Sequence, residues 1–196
     1  MAMPADNLPS TTLAHSTRRK FLTTGLSLCS LPLIGTAAQA NTAIIRPVKR
    51  IKLLHAHTGE KLHTTFFIED SYVEESFEEI DFFLRDFRDE AVLEIRRDLI
   101  ELVSNVHHLL DTEEPLIVNS GYRSPKTNAM LRRRSHGVAR NSLHIRGMAI
   151  DFHVKGRSVR NVARAARSLK SGGVGEYQGS HFVHMDVGRV RSWYRR

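Results

Sequence analysis

Cysteine is nearly absent from this chain of 196 residues, and its single cysteine, Cys29, lies near the amino terminus. The rest of the sequence has no thiol and no disulfide, which excludes cysteine-based catalysis and cysteine-rich metal sites there. Aromatic residues are also sparse, at 7% with one tryptophan, so the sequence offers no base-stacking platform for nucleic acid. A metal site in the remainder of this chain must therefore use histidine and carboxylate ligands.

Acidic residues are outnumbered by basic ones, which gives the chain a formal charge of +8. Without a stacking motif, this charge is weak evidence for nucleic acid and suits an anionic envelope polymer better. With 41% hydrophobic and 26% charged residues, the composition is that of an ordinary globular protein. The basic run Arg132–Arg134 is typical of a solvated surface, although near a cleft such a run attracts anionic ligands.

The first forty residues have the pattern of an export signal. Three adjacent cations at 18–20 precede a mildly apolar stretch at 21–37, and small residues at 38 and 40 form a cleavage site. The paired arginines followed by Phe-Leu match the twin-arginine export pattern, and a retained membrane anchor lacks support because no stop-transfer pattern follows. We expect a signal peptide over residues 1–40 and a single periplasmic domain over residues 41–196, without stable membrane insertion after cleavage.

Hydrophobic periodicity predicts an α+β fold. Two short apolar-rich segments, 44–54 and 62–68, flank a turn and predict a hairpin. Apolar residues at helical spacing predict amphipathic helices over 73–87 and 99–110. The second half of the chain predicts the following elements: a strand at 116–118, a helix from Pro125 to Arg134 capped by Ser124, a strand at 148–154, a helix after Ser158 that ends at Gly172–Gly173, and a last strand at 182–187. These elements predict a small, mostly antiparallel sheet with helices packed on one side.

Histidines and aspartates fall on the polar faces of two of these strands. Alternation places Asp151 and His153 on one face of the first strand, and His184 and Asp186 on one face of the second. If the two strands lie side by side, Asp151 and His184 come within a few ångströms of each other.

A nearby histidine can complete this group, because Gly147 allows the chain to turn so that His144 reaches back. Two imidazoles and one carboxylate with a fourth position left for water form the pattern of a catalytic zinc site. Spacing alone does not separate this interpretation from unrelated, hydrogen-bonded histidines.

Three ordered motifs resemble those of the zinc D,D-peptidases of the cell wall, which belong with the lysostaphin, D-alanyl-D-alanine peptidase and hedgehog-type zinc fold. The motifs are Ser-Gly-Tyr-Arg-Ser at 120–124, Ser-x-His-x-x-Gly-x-Ala-x-Asp at 142–151 and Phe-Val-His-x-Asp at 182–186. The resemblance covers residues from about 46 to 193 and includes the twin-arginine signal.

The resemblance implies a hedgehog-type fold with zinc bound by His144, Asp151 and His184. It also implies that Arg123 points into the cleft and holds a substrate carboxylate or the developing oxyanion. A guanidinium suits this role because it stays charged and offers a planar fork of donors. Since Arg123 is expected to contact neither a ligand nor the core, its replacement should leave zinc content and stability unchanged.

The general base is left open by the resemblance. Several relatives carry Glu or Asp three residues before the last ligand, or His two residues before it, whereas this chain has His181 and Phe182 there. The residues favour His181 slightly, because the pKa of histidine suits neutral operation. Asp186 is the other candidate, and its alternative role is to orient the imidazole of His184.

The implied activity is zinc-dependent hydrolysis of peptidoglycan cross-links, either D-Ala–meso-diaminopimelate or meso-diaminopimelate–meso-diaminopimelate. The alternatives are a D,D- or L,D-carboxypeptidase that trims stem peptides and a non-catalytic, zinc-containing module that binds the wall. The expected partners are peptidoglycan stem peptides, and no oligomeric state is predicted.

Overall fold

The computed structural model describes residues 47–135 and 137–196, so the predicted signal peptide lies outside the described residues. The strands are β1 (Val48–His55), β2 (Lys61–Ile68), β3 (Ser71–Tyr72), β4 (Leu116–Ser120), β5 (Ala149–Val154), β6 (Gly173–Tyr177), β7 (Phe182–Asp186) and β8 (Arg191–Arg195). The helices are α1 (Glu74–Phe83), α2 (Arg97–Leu109), α3 (Pro125–Arg134) and α4 (Val159–Ser168), together with a short 3-10 helix at Leu143–Arg146.

The strands form a single sheet in the order β3-β2-β1-β4-β5-β7-β6-β8. Among the described strands, β1 with β4 and β6 with β8 pair in parallel, and the other neighbours are antiparallel. The prediction of an α+β fold with a mostly antiparallel sheet is therefore confirmed. The prediction that the sheet is small is wrong, because it has eight strands.

Two strands next to the candidate site, β6 and β8, were not predicted. Strand β6 contains Gly173 and Gly175 and begins directly after Gly172. The adjacent pair Gly172–Gly173 is typical of a turn rather than of a strand interior, so the sequence predicts the end of a helix there. The segment Arg191–Arg195 is short and largely polar and therefore lacks a strand-like apolar pattern.

One face of the sheet carries the core. On β5 and β7, alternation buries Ile150, Phe152, Val183 and Met185 completely. Helices α1, α2 and α4 contribute apolar residues to this same core cluster, whereas α3 contributes none. The opposite face of β5 and β7 is consequently free to carry the polar side chains of a site.

Local capping signals give two helix starts correctly. The Ser124 hydroxyl accepts the N–H of Thr127 at 3.1 Å with Pro125 at the first helical position, and Ser158 caps α4 in the same way. Helix α1 ends at Phe83, before the end of its predicted apolar pattern, because the carbonyl of Leu84 accepts the N–H of Tyr122 from the chain that follows β4. No helix in the described part of the chain has the length and apolar character needed to cross a membrane.

Candidate metal centre

A row of paired residues crosses four neighbouring strands at the candidate site. Asp151 on β5 pairs with His184 on β7, His184 pairs with Gly175 on β6, and Gly175 pairs with Trp193 on β8. Residues that pair across a sheet share a face, so this row lies opposite the apolar core. A Cβ at Gly175 would lie 2.5 Å from the indole, so glycine here allows Trp193 to lie across β6, with its ring centroid 5.3 Å from that of His184.

His144 joins this row from the 3-10 helix outside the sheet. Ser142 caps that helix by accepting the N–H of His144 at 3.4 Å, and Gly147 ends it with a φ of 63°. A Cβ at Gly147 would lie 2.4 Å from the carbonyl oxygen of Glu94, so both the turn and the close approach require glycine. The turn predicted at Gly147 is therefore present, and it directs His144 toward Asp151.

Three potential ligand atoms converge at this point. Nε2 of His144 lies 3.2 Å from Nδ1 of His184 and 3.2 Å from Oδ1 of Asp151, and the last two atoms are 2.8 Å apart. A tetrahedral zinc ion with bonds of about 2.0–2.1 Å separates its ligand atoms by about 3.3 Å, so the observed triangle has the size that such an ion requires. Within residues 47–135 and 137–196, this is the group of histidine and carboxylate side chains spaced to hold a metal ion.

Hydrogen bonds behind the two imidazoles select the nitrogen that faces the group. Nδ1 of His144 donates to the carbonyl oxygen of Gly121 at 2.7 Å, and Nε2 of His184 donates to Oδ2 of Asp186 at 3.0 Å. In neutral histidines these bonds leave one nitrogen lone pair of each ring directed at Asp151, which is itself an acceptor. Three facing lone pairs repel one another unless a cation lies between them, so the donor set fits a bound metal ion.

The electrostatic environment also matches cation binding. Burial lowers the pKa of His144 to about 4, so this imidazole is neutral at pH 7 and available as a ligand. Burial acts in the same direction on His184, but hydrogen bonds with Asp151 and Asp186 outweigh it and raise the pKa of His184. Burial opposes ionisation of Asp151, but His144 and Arg123 hold its pKa well below the usual range. A metal ion that binds here therefore displaces at most the proton on His184.

Asp186 is fully buried beneath His184 and does not line the cavity. Its carboxylate also accepts both terminal nitrogens of Arg191, at 2.9 and 2.6 Å, and the backbone N–H of Gly188 at 2.9 Å. Burial opposes ionisation, but the hydrogen bonds from His184 and Arg191 lower the pKa of Asp186 far below its usual range. A buried carboxylate with this many donors is held in place and is suited to orient the ring of His184. This is the alternative to the role of general base that the sequence left open for Asp186.

Arg123 lies between β4 and α3, lines the cavity and is 8% exposed. Its Nη2 donates to Oδ2 of Asp151, and its Nε donates to the hydroxyl of Ser120 at 2.8 Å. The expectation that Arg123 contacts none of the predicted ligand residues is wrong, because β4 and β5 are neighbours and the turn after β4 places the guanidinium against Asp151. Among the described residues Nη1 of Arg123 has no hydrogen-bond partner, so this nitrogen is left for a ligand in the cavity.

A cavity of about 310 Å³ contains the converging group at its surface. Three aromatic residues, Tyr177, Phe182 and Trp193, line it together with the loop that follows α3. His181 is exposed and is not among the lining residues; its ring lies 5.8 Å from that of His153. The structure therefore does not bring His181 to the group, and its role as a base stays a prediction.

His153, which shares the face of Asp151, bonds to the side-chain oxygen of Asn119 at 3.0 Å and is not one of the converging residues. Sequence reasoning missed Arg191 and Tyr177, which come from the unpredicted strands. The signal that could have found them is the alternation of Gly173 and Gly175, because glycine inside a strand indicates close approach of another part of the chain.

Two imidazoles and a carboxylate at the surface of an open cavity are typical of a metal-dependent hydrolase. The model of the Peptidase_M15_2 family, described as peptidoglycan L,D-endopeptidase MepK, matches residues 44–193. The chain therefore belongs to this family, which confirms the resemblance of its motifs to those of cell-wall peptidases.

Individual relatives cover most of the chain. Peptidoglycan L,D-endopeptidase MepK of Escherichia coli (strain K12) is 39% identical over 176 residues, which are 90% of this chain and 96% of the relative. The probable peptidoglycan L,D-endopeptidase MepK of Haemophilus influenzae is 35% identical over 177 residues, 90% of this chain and 95% of the relative. A solved structure, the L-Ala D-Glu endopeptidase ChiX of Serratia marcescens, matches with a TM-score of 0.36 and 20% identity over 48% of this chain and 80% of that chain.

Proposed function

We propose that the protein is a zinc-dependent peptidoglycan endopeptidase of the periplasm, which hydrolyses peptide cross-links between stem peptides. Membership of the Peptidase_M15_2 family supports the peptidase activity and the peptidoglycan substrate. The observation that carries the proposal is the convergence of His144, Asp151 and His184 at the surface of an open cavity.

These three residues would hold the zinc ion, and a zinc ion there supplies a Lewis acid that polarises a carbonyl group and makes water more acidic. Asp186 and the carbonyl of Gly121 hold the two imidazoles in the tautomers that a metal requires. Arg123 holds Asp151 with Nη2 and presents Nη1 to a substrate carboxylate.

The sequence-based choice of His181 as general base is kept as a proposal with its own test. His181→Ala should lower the turnover rate of the zinc-loaded protein, because a general base that accepts the proton of the attacking water contributes to the rate. An unchanged turnover rate would remove His181 from the mechanism, in keeping with its position beside His153.

The sequence left two cross-links open as substrates. Of these, we propose the cross-link between two diaminopimelate residues. This bond joins an L-centre to a D-centre, and the relatives are called L,D-endopeptidases. In both cross-links the acceptor diaminopimelate carries a free carboxylate next to the bond, which suits Nη1 of Arg123 and the basic character of the chain, so the choice between the two rests on the stereochemistry.

Digestion of purified peptidoglycan sacculi, followed by separation of the products, tests the proposal. Loss of cross-linked dimers with gain of monomers supports an endopeptidase, and dimers of each linkage supplied separately identify the bond that is cut. Release of only a terminal amino acid would establish the carboxypeptidase instead. Binding to sacculi without any product, in zinc-loaded protein, would establish the non-catalytic wall-binding module.

Export by the twin-arginine pathway, with cleavage after Ala40, rests on residues outside the described part of the chain. Replacing Arg18 and Arg19 together by Lys should keep the protein in the cytoplasm, and an unchanged amount in the periplasm would contradict this route. Amino-terminal sequencing of the periplasmic protein checks the boundary between residues 1–40 and the domain at 41–196. The hedgehog-type fold is likewise our proposal, supported by the order of the three motifs on the sheet.

A further inference from the structure

The side chain of Tyr177 is held firmly at the wall of the cavity. It projects from β6 and stacks on Phe182, with ring centroids 4.5 Å apart and ring planes at 16°. The indole nitrogen of Trp193 donates a hydrogen bond to the Tyr177 oxygen at 3.1 Å. Contacts at the face of the ring and at its oxygen therefore fix the position of the hydroxyl group in advance of any ligand.

The direction of this hydrogen bond determines what the Tyr177 hydroxyl can still do. An indole N–H can only donate, so the Tyr177 oxygen is the acceptor and its own proton remains for another acceptor. Among residues 47–135 and 137–196, no side chain or carbonyl accepts that proton. The Trp193 ring that donates to Tyr177 also lies 5.3 Å from the ring of His184, so Trp193 lies between Tyr177 and the proposed metal centre in the wall of one cavity.

The other titratable groups at the described cavity wall already have partners. Three are the converging residues His144, Asp151 and His184, and the other two are arginines. Both arginines are paired with carboxylates of the site, Arg123 with Asp151 and Arg191 with Asp186. Tyr177 thus presents a neutral hydrogen-bond donor whose proton is not engaged elsewhere in the described site.

We propose that the Tyr177 hydroxyl donates a hydrogen bond to the carbonyl oxygen of the peptide bond that is cut. This inference rests on the proposed function and adds a catalytic residue to it. Charge develops on that oxygen during hydrolysis, and a donor positioned beforehand stabilises it at no cost of reorganisation. Stacking on Phe182 fixes the ring of Tyr177, and the hydrogen bond from Trp193 fixes its oxygen. The hydroxyl proton is then left to point to the substrate.

The test compares three single substitutions in the zinc-loaded protein, with cleavage of cross-linked muropeptide dimers as the activity. Tyr177→Phe should lower kcat by roughly 10- to 100-fold with little change in KM, because the bond strengthens in the transition state. Trp193→Phe removes the N–H that positions Tyr177 but leaves the hydroxyl, so its loss should be smaller. Tyr194→Phe is the matched control, because Tyr194 is 55% exposed and follows Trp193 on the opposite face of β8.

Two readouts that do not depend on activity accompany the kinetics. Zinc content should be the same in all three variants and in the parent. Since Trp193 is the only tryptophan in the chain, its fluorescence emission should shift in Tyr177→Phe, which removes the acceptor of its N–H, and stay unchanged in Tyr194→Phe.

Several outcomes would overturn the proposal. A parental kcat for Tyr177→Phe would exclude contact with the reacting carbonyl. A larger loss in Trp193→Phe than in Tyr177→Phe, at parental zinc content, would show that Tyr177 acts only by holding Trp193. A parent protein that cuts no cross-link would remove the proposed function itself and this inference with it.

Discussion

The two faces of strands β5 and β7 differ in how their side chains are stabilised. On the core face, Ile150 and Met185 are completely buried among apolar neighbours, and burial of apolar area is non-directional. On the site face, Asp151 and Asp186 are buried as charges; Asp151 accepts from Arg123, and Asp186 accepts from His184 and Arg191. Adjacent residues of one strand therefore meet opposite requirements.

The comparison shows where stability and function separate in this protein. A buried charge is costly unless it is paired, and when both imidazoles are neutral the centre of the site face brings three lone pairs to face one another. The core face is fully packed without a ligand, whereas the donor set of the site face fits a bound cation. Substitutions on the two faces should consequently differ in what they change.

The largest effect is expected from loss of a proposed ligand. His144→Ala should lower cross-link cleavage by at least about a thousandfold, because metal polarisation of the carbonyl contributes several kcal/mol in the transition state. The measurement is the release of monomeric muropeptides from sacculi. His153→Ala is the control, since His153 shares the strand face of Asp151 but lies outside the converging group; an equal loss in both variants would contradict the ligand assignment.

Loss of Arg123 should come next, because it breaks a buried ion pair on the site face. In metal-free protein, Arg123→Ala should lower the free energy of unfolding by about 3–5 kcal/mol, since Asp151 loses its cationic partner. Added zinc should stabilise this variant more than the parent. Denaturant unfolding with and without zinc provides the measurement.

Arg123→Lys separates charge from geometry in the same assay. Lysine keeps the charge but loses the planar fork, so both stability and activity should be intermediate between those of the parent and Arg123→Ala. Parental stability of metal-free Arg123→Ala would show that the contact with Asp151 contributes nothing to the fold.

A smaller effect is expected from Asp186, which positions His184 on the site face through a hydrogen bond. Asp186→Asn weakens the orientation of His184 and should lower zinc affinity about 10- to 100-fold, as measured by competition with a chromogenic chelator. Asp98→Asn, an exposed carboxylate paired with Arg96, should leave zinc affinity at the parental value. Equal affinities in all three proteins would mean that Asp186 does not orient the ring.

The smallest effect is expected on the core face. Ile150→Val removes one methylene beside Asp151 in sequence and should cost about 0.5–1.5 kcal/mol in the free energy of unfolding. Zinc affinity should stay unchanged, because the side chain points away from the site. A change in zinc affinity without a change in stability would contradict the separation of the two faces.

Strand alternation and capping made much of the site predictable from sequence. Alternation alone placed Asp151 and His184 on polar faces, and the structure pairs these residues across β5 and β7. The turn at Gly147 and the cap at Ser124 were also predictable, because each depends on a local backbone requirement.

Contacts that depend on long-range pairing were not predictable in the same way. Arg191 and Trp193 reach the site because β8 pairs in parallel with β6, and the short, largely polar β8 has no apolar pattern that predicts this pairing. The contact between Arg123 and Asp151 likewise arises from the register of β4 against β5, which includes an irregularity before Ser120. The end of α1 at Phe83 is set by a backbone contact with the chain after β4 rather than by its own apolar pattern.

Zinc binding by the purified domain tests the central claim most directly. The protein is depleted of metal with a chelator, dialysed against excess zinc and then against buffer, and analysed for zinc per chain. The account predicts one tightly bound zinc in the parent and almost none in His144→Ala or His184→Ala, with both variants folded by circular dichroism. One zinc per chain in both folded variants, or none in the parent, would contradict it.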